Sequence, residues 1–267
     1  MITNKLSDLG AKSLLMLAAM VWGFAFVAQK VGMESIGPMA FNGIRFLLGA
    51  VSLLPVIWFF NKKSKPNSTK KQKPGYLWKA GIISGLTLFA AATIQQIGIV
   101  YTTAGNAGFI TSIYVILVPV FGLLLHQKVN IQTWVGATIA LVGLYLLTAS
   151  EGLTLVIGDV LVFFSAFFWA MQVILASHYA VRVNIIKLAA IQFALTGILS
   201  LIISFFTETY GLQEINDALI PILYGGIMSV GLAFTLQLIG QKKVIPSHAA
   251  IILSTESLFA VLGGWLL

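Results

Sequence analysis

The chain has 267 residues, 58% of them hydrophobic and only 9% charged, with a mean hydropathy of +0.96. That excludes an ordinary soluble domain, in which about a quarter of residues carry charge, and no domain-sized segment is polar enough to stand apart from the apolar runs. The formal charge of +8 leaves open a nucleic-acid surface until the basic residues are placed, while the lack of cysteine excludes disulfides and thiolate metal sites.

From the N-terminus, apolar runs long enough to cross about 30 Å of hydrocarbon as helix fall at 13–32, 39–60, 78–101, 106–126 and 132–149. Four more follow at 158–178, 187–207, 218–240 and 248–267. The first run is too long for a signal-peptide core and reads as a retained helix. The pattern predicts an all-α membrane protein with nine transmembrane helices. Most connections are short and carry breaker residues, such as Gly37-Pro38, Gly105-Asn106 and Pro246-Ser247. The long one is a basic loop at 61–77, with Lys62, Lys63, Lys65, Lys70, Lys71 and Lys73.

The basic residues fix an expected orientation. With a cytoplasmic N-terminus, Lys5, Lys12, the 61–77 lysines, Lys79, Lys128, Arg182, Lys187, Lys242 and Lys243 all lie inside. Lys30 alone lies outside, together with Glu34, Glu151, Asp159, Glu208, Glu214 and Asp217. The positive charge is therefore membrane topology, and nucleic acid is not an expected partner. The expected location is a cell (inner) membrane.

An internal repeat follows from two offsets. At 142 residues, Thr93 meets Thr235, Gln95 meets Gln237, Ile97-Gly98 meets Ile239-Gly240, Ala107 meets Ala249 and Ser112 meets Ser254. At 147, AAMVWG (18–23) lies over SAFFWA (165–170), pairing Trp22 with Trp169, and IRF (44–46) lies over IQF (191–193). A five-helix unit crosses the membrane an odd number of times, so its second copy is inverted, and such repeats hold substrate sites near the midplane. The first repeat spans 13–149 and the second 158–267, where the counterpart of the fifth helix is expected as a missing tenth.

Together the AAxxWG and SAxxWA openings, the YTTAGNAGFITSIYVILVPVFG segment and Gly158-Asp159 resemble the EamA-type drug/metabolite transporters. The resemblance covers essentially the whole chain. It implies ten helices in two inverted halves and a bacterial inner-membrane carrier, often an exporter of amino acids, other metabolites or drugs.

Glu256 stands alone in ILSTESLFAV (252–261), nine residues beyond Ser247 and so about 14 Å into its helix. A carboxylate at that depth costs roughly 2.5 to 3.5 kcal/mol even on lenient scales, which calls for a cavity or a partner. Arg45 is the second intramembrane charge; it could pair with Glu256, hold a substrate carboxylate or snorkel outward. Gln95 and Gln237 are equivalent amides, Tyr114 is the equivalent of Glu256, and Trp22 and Trp169 are equivalent rings that either pack or stack on cargo. These seven are the candidates for substrate binding or coupling. No catalytic or metal-binding residue is expected, and no cofactor.

The pattern predicts a secondary transporter of small metabolites (amino acids, related compounds or drugs), working by alternating access. There is no GxxxxGK[ST] sequence for ATP. The alternative is a passive channel or facilitator without proton coupling. An enzyme is not expected, since there is no HExxH and a single mid-membrane carboxylate forms no aspartyl dyad. Small-molecule substrate and membrane lipid are the expected partners, with homodimerisation left open.

Overall fold

A computed structural model describes residues 7–63, 75–126, 129–148 and 156–266. The central part of the basic loop predicted at 61–77 lies outside the described residues. Nine helices match the nine predicted runs: α1 (Asp8–Gly32), α2 (Pro38–Phe59), α3 (Tyr76–Val100), α4 (Ala104–Leu124), α5 (Ile131–Thr148), α6 (Ile157–Ala180), α7 (Ile185–Thr207), α8 (Leu219–Gly240) and α9 (Pro246–Leu266). All but α5 run for 21 residues or more and are apolar enough to cross a membrane, whereas α5 is an apolar helix of 18 residues. The described chain is thus an all-α membrane fold of eight clear spans plus one shorter apolar helix. A six-residue helix, Leu212–Asp217, joins α7 to α8.

Helix starts follow from local chemistry. Ser7 accepts from the Gly10 amide, Thr103 from Asn106, and Asn184 from Ile186 and Lys187, which satisfies amides that the first turn leaves unpaired. Pro38 and Pro246 occupy first-turn positions where no amide hydrogen is required. Gly37, ahead of α2, supplies no side-chain cap; its role is taken from across the molecule by Glu208, whose carboxylate accepts from the Met39 and Ala40 amides at 2.8 and 2.7 Å.

The halves interleave. Helix α3 packs along α6 and α7, α2 along α7 and α8, and α1 along α8 and α9. Small residues permit these crossings, as in other membrane bundles. At one close crossing, a Cβ on Gly158 would lie 2.5 Å from the Gly98 carbonyl oxygen and 3.0 Å from the Thr102 amide nitrogen. Both obstacles are backbone and cannot swing aside. Gly158→Ala is therefore expected to destabilise the bundle by about 1–3 kcal/mol, read as a lowered thermal midpoint in detergent, with Gly143→Ala, which meets nothing within 4 Å, as the neutral comparison.

The inverted repeat is most evident where helices break. Helix α4 consists of Ala104–Thr111 and Tyr114–Leu124, and α9 of Pro246–Leu253 and Glu256–Leu266. All four boundaries correspond at the 142-residue offset. Each break tightens into three-residue hydrogen bonds, Val115 to Ser112 at 2.9 Å and Ser257 to Ser254 at 3.2 Å. The breaks also touch each other: the Ser112 hydroxyl donates to the Ser254 carbonyl at 3.2 Å and meets the Ser257 hydroxyl, which reaches the Gly108 carbonyl at 3.1 Å. Tyr114 and Glu256 are the midpoint residues of their helices and follow these breaks directly.

One element departs from the symmetry. Residues Tyr224–Ala233 of α8 form a ten-residue π-helix, while the equivalent stretch of α3 is ordinary α-helix. Wide turns of this kind are rare and gather at functional sites. Here Gly226 receives Leu48 and Val230 fills the space at Gly49, and the Tyr224 hydroxyl donates to the Val21 carbonyl at 2.9 Å. The π stretch is therefore clasped between α1 and α2, with Ser229 turned to the interior.

Candidate functional site: a central cavity between the repeats

A narrow cavity of about 40 Å³ lies between the halves, and Trp22, Arg45, Gln95, Tyr114, Trp169, Gln237 and Glu256 all line it. The seven residues singled out from the sequence thus share one space. Gln29, Thr111, Ser229, Phe26, Phe46 and Phe234 complete much of its wall. At this volume there is room for a few water molecules but not for a metabolite.

The aromatic part is built around Phe234. Trp22 meets that ring edge-on at 4.6 Å, and Trp169 stacks on it at 5.9 Å and 23°. The two equivalent tryptophans therefore both pack and face the cavity, but their indole nitrogens differ. Trp22 Nε1 donates to the Ser229 carbonyl of the π stretch at 3.1 Å, whereas Trp169 Nε1 is buried without a hydrogen bond. Trp22→Phe is accordingly expected to cost about 1 kcal/mol of stability and Trp169→Phe less, since only the first breaks a made bond; equal losses of thermal midpoint would contradict that distinction.

Arg45 is 3% exposed, which rules out snorkelling to the surface in this conformation. Its Nε and Nη2 both donate to Asn42 Oδ1, at 3.0 and 2.8 Å, and Nη2 also reaches Gln96 Oε1 at 3.2 Å. The guanidinium carbon lies 4.8 Å from the Phe46 ring centroid, a cation–π contact that partly offsets desolvation. One turn of α2 and one residue of α3 thus hold the group rigidly, with Nη1 making no hydrogen bond among the described residues. Its offset partner is Gln192, which accepts from Gln172 at 3.1 Å, so the second repeat has an amide where the first has a charge.

Glu256 is 4% exposed, and among the described residues the only ion pair is Lys12 with Asp8 at 2.7 Å. The salt bridge with Arg45 that the sequence allowed is therefore not formed. A guanidinium and a carboxyl group thus line one cavity without a salt bridge between them. Gln29 Oε1 is buried and unpaired beside them, while the Tyr114 hydroxyl faces the Glu256 carboxyl group without meeting ordinary hydrogen-bond geometry. The Gln29 amide orientation is set, because Nε2 donates to the Ala25 carbonyl at 3.0 Å. Gln95 is tied to Thr111 at 2.8 Å, and its repeat equivalent Gln237 is buried at the same cavity.

Gln29 escaped the sequence reading because its offset partner is the apolar Ala176 and the repeat did not mark it. Phe234 carries no polarity signal, and Ser229 takes part through its backbone carbonyl, which no side chain announces. Among the described residues no group of His, Asp and Glu could hold a metal ion.

The comparisons with known proteins agree with this architecture. A family description, the EamA-like transporter family, matches residues 10–149 and 156–267. The chain is 35% identical to an uncharacterized transporter of Archaeoglobus fulgidus over 95% of this chain and 75% of that one. It is 25% identical to the uncharacterized transporter YoaV of Bacillus subtilis over 92% and 85% of the two chains, and 28% identical to the uncharacterized inner membrane transporter YedA of Escherichia coli over 69% and 58%. A crystal structure sharing 17% identity superposes with a TM-score of 0.76 over 96% of this chain and 87% of that one, a likeness of fold alone. With a match over nearly its whole length and both repeats covered, this chain belongs to the EamA-like transporter family and is a membrane transporter.

Proposed function

We propose that the protein is a secondary transporter for small zwitterionic metabolites, amino acids or close relatives, which it exports across a bacterial inner membrane by alternating access. The supporting observation is the pair Arg45 and Glu256, a guanidinium and a carboxyl group buried at one cavity with no salt bridge to any described residue. Unpaired charge in a membrane interior is costly. A cargo bearing a carboxylate and an ammonium group offsets that cost at both ends, with Arg45 orienting the anion and Glu256 taking the cation or, between cargoes, a proton.

The uncharged wall favours this class over lipophilic cations. Gln29 Oε1 and Trp169 Nε1 present an unpaired acceptor and donor that a hydrogen-bonding metabolite satisfies and an apolar cation leaves bare. Because the cavity is too small for cargo as it stands, loading requires the halves to part. The touching breaks of α4 and α9 offer the pivot, with the N-terminus and basic loop on the cytoplasmic side.

Uptake of radiolabelled amino acids into inverted vesicles, with and without a pH gradient, tests the proposal. Saturable, gradient-dependent accumulation is expected. Flux that neither saturates nor responds to the gradient would make the protein a passive facilitator instead.

A further inference from the structure

The pseudo-symmetry that built the cavity fails at one membrane face in a particular way. Two carboxylates of the second repeat, Asp159 and Glu208, each hold a piece of the first. Asp159 Oδ1 accepts from the Thr102 hydroxyl at 2.6 Å, at the corner joining α3 to α4, while Oδ2 accepts from the Val156 amide at 3.1 Å. Glu208, just beyond α7, accepts from the Met39 and Ala40 amides that open α2, and its Oε2 also receives the Ser204 hydroxyl at 2.9 Å. Hydrogen bonds to ionised acceptors are the stronger kind, and a carboxylate at a helix N-terminus gains from the helix dipole as well.

At the opposite face the equivalent positions lack these links. Offset by 147, Asp159 corresponds to Lys12, which pairs with Asp8 of its own helix. Offset by 142, Thr102 corresponds to Val244, which packs with Ala11 and Leu15 in an apolar cluster. The N-terminus of α7, equivalent to that of α2, is capped by its own neighbour Asn184 at 3.1 Å. Both carboxylate links are thus absent where inversion would repeat them. They are not demanded by the scaffold.

We propose that Asp159 and Glu208 are a two-point latch that joins the repeats at the face opposite the lysine-rich loop and keeps the central cavity closed on that side until both are released. The latch rests on the alternating-access reading above, and adds which face is held shut and by which atoms. Its position suits an exporter at rest, closed toward the outside and loaded from within. Gly37 belongs to the same device: a Cβ there would fall on the Glu208 carboxylate, so this site keeps a glycine to let the carboxylate reach the α2 amides.

The natural absence of cysteine makes the test direct. Thr111 and Leu253 are offset partners, both line the cavity, and they lie on its latched and opposite halves. Thr111→Cys and Leu253→Cys are introduced separately, and the labelling rate by a membrane-impermeant maleimide is measured in right-side-out and inverted vesicles. Glu208→Ala with Asp159→Asn is expected to speed labelling of the thiol at position 111 from the latched face about tenfold, equivalent to about 1.4 kcal/mol of lost closure. Gly37→Ala should act in the same direction without removing a charge, which separates a latch from a general electrostatic effect.

Unchanged labelling at position 111 in all variants overturns the latch and leaves the transport reading intact. Equal acceleration of positions 111 and 253 also overturns it, because that reports loosening of the whole bundle. If both faces reach both thiols in the unaltered protein, the cavity is open end to end and the alternating-access reading fails first. Acceleration from inverted rather than right-side-out vesicles reverses the orientation but keeps the latch.

Discussion

Glu256→Gln lowers gradient-driven uptake by about 10- to 100-fold while the protein folds and inserts normally. The magnitude follows from the interaction lost, a hydrogen bond to a charged group worth about 1.5–3 kcal/mol, at about 1.4 kcal/mol per tenfold. Folding is preserved because the amide keeps the volume of the acid, and Glu256 forms no ion pair with any described residue whose partner would be stranded. Removing a buried charge near the bilayer midplane even relieves the cost of holding it there. The two effects have opposite signs: transport falls while thermal stability holds or rises.

The inverted repeat supplies a second arm. Tyr114 and Glu256 occupy equivalent midpoints and line the same cavity. In the background Glu256→Tyr, adding Tyr114→Glu returns one acid and one phenol to that cavity from exchanged halves. Partial recovery of uptake is the expected result, since both positions face the same cargo. Wild-type uptake by Glu256→Gln alone would remove the acid from any coupling role.

Much of the candidate site was legible because intramembrane polarity is expensive. Seven residues singled out by charge, by amide or ring chemistry and by the repeat turn out to line one cavity. The reason is physical: a polar side chain inside a membrane must face a partner, a cavity or the interface. What polarity cannot reveal is the identity of the partner. Arg45 and Glu256 sit at similar depths, so a salt bridge was a fair expectation, but Asn42, one turn before Arg45, and Gln96 take the guanidinium instead.

The breaks in α4 and α9 were not legible for a different reason. Ser112-Ile113 and Ser254-Thr255 contain no proline or glycine; Pro119 lies well beyond the first break, and Glu256, directly after the second, signals polarity rather than a change of helix. The breaks come from tertiary contact between the two helices, where serine hydroxyls of one meet carbonyls of the other. The same holds for the π stretch of α8, whose three glycines suggest close packing but not a wider turn.

The second large effect is expected at Arg45, and it separates recognition from folding. Arg45→Gln leaves the Asn42 and Gln96 acceptors without their strongest donor and removes the cation from the Phe46 face, so stability falls by about 1–3 kcal/mol. Arg45→Lys retains the charge but not the fixed fork that serves Asn42 and Gln96 while leaving Nη1 for cargo, and such exchanges are not conservative. Both variants should weaken uptake of amino acids about 10-fold or more, from loss of a charge-assisted contact to the carboxylate. Amino-acid amides, which lack the carboxylate, provide the discriminating measurement. If Arg45 holds that group, the variants lose their preference for the free acid over the amide, and half-saturation for the amide barely moves. A parallel loss for acid and amide would instead assign Arg45 to holding α2 against α3, and the cargo's anion would need another partner in the cavity.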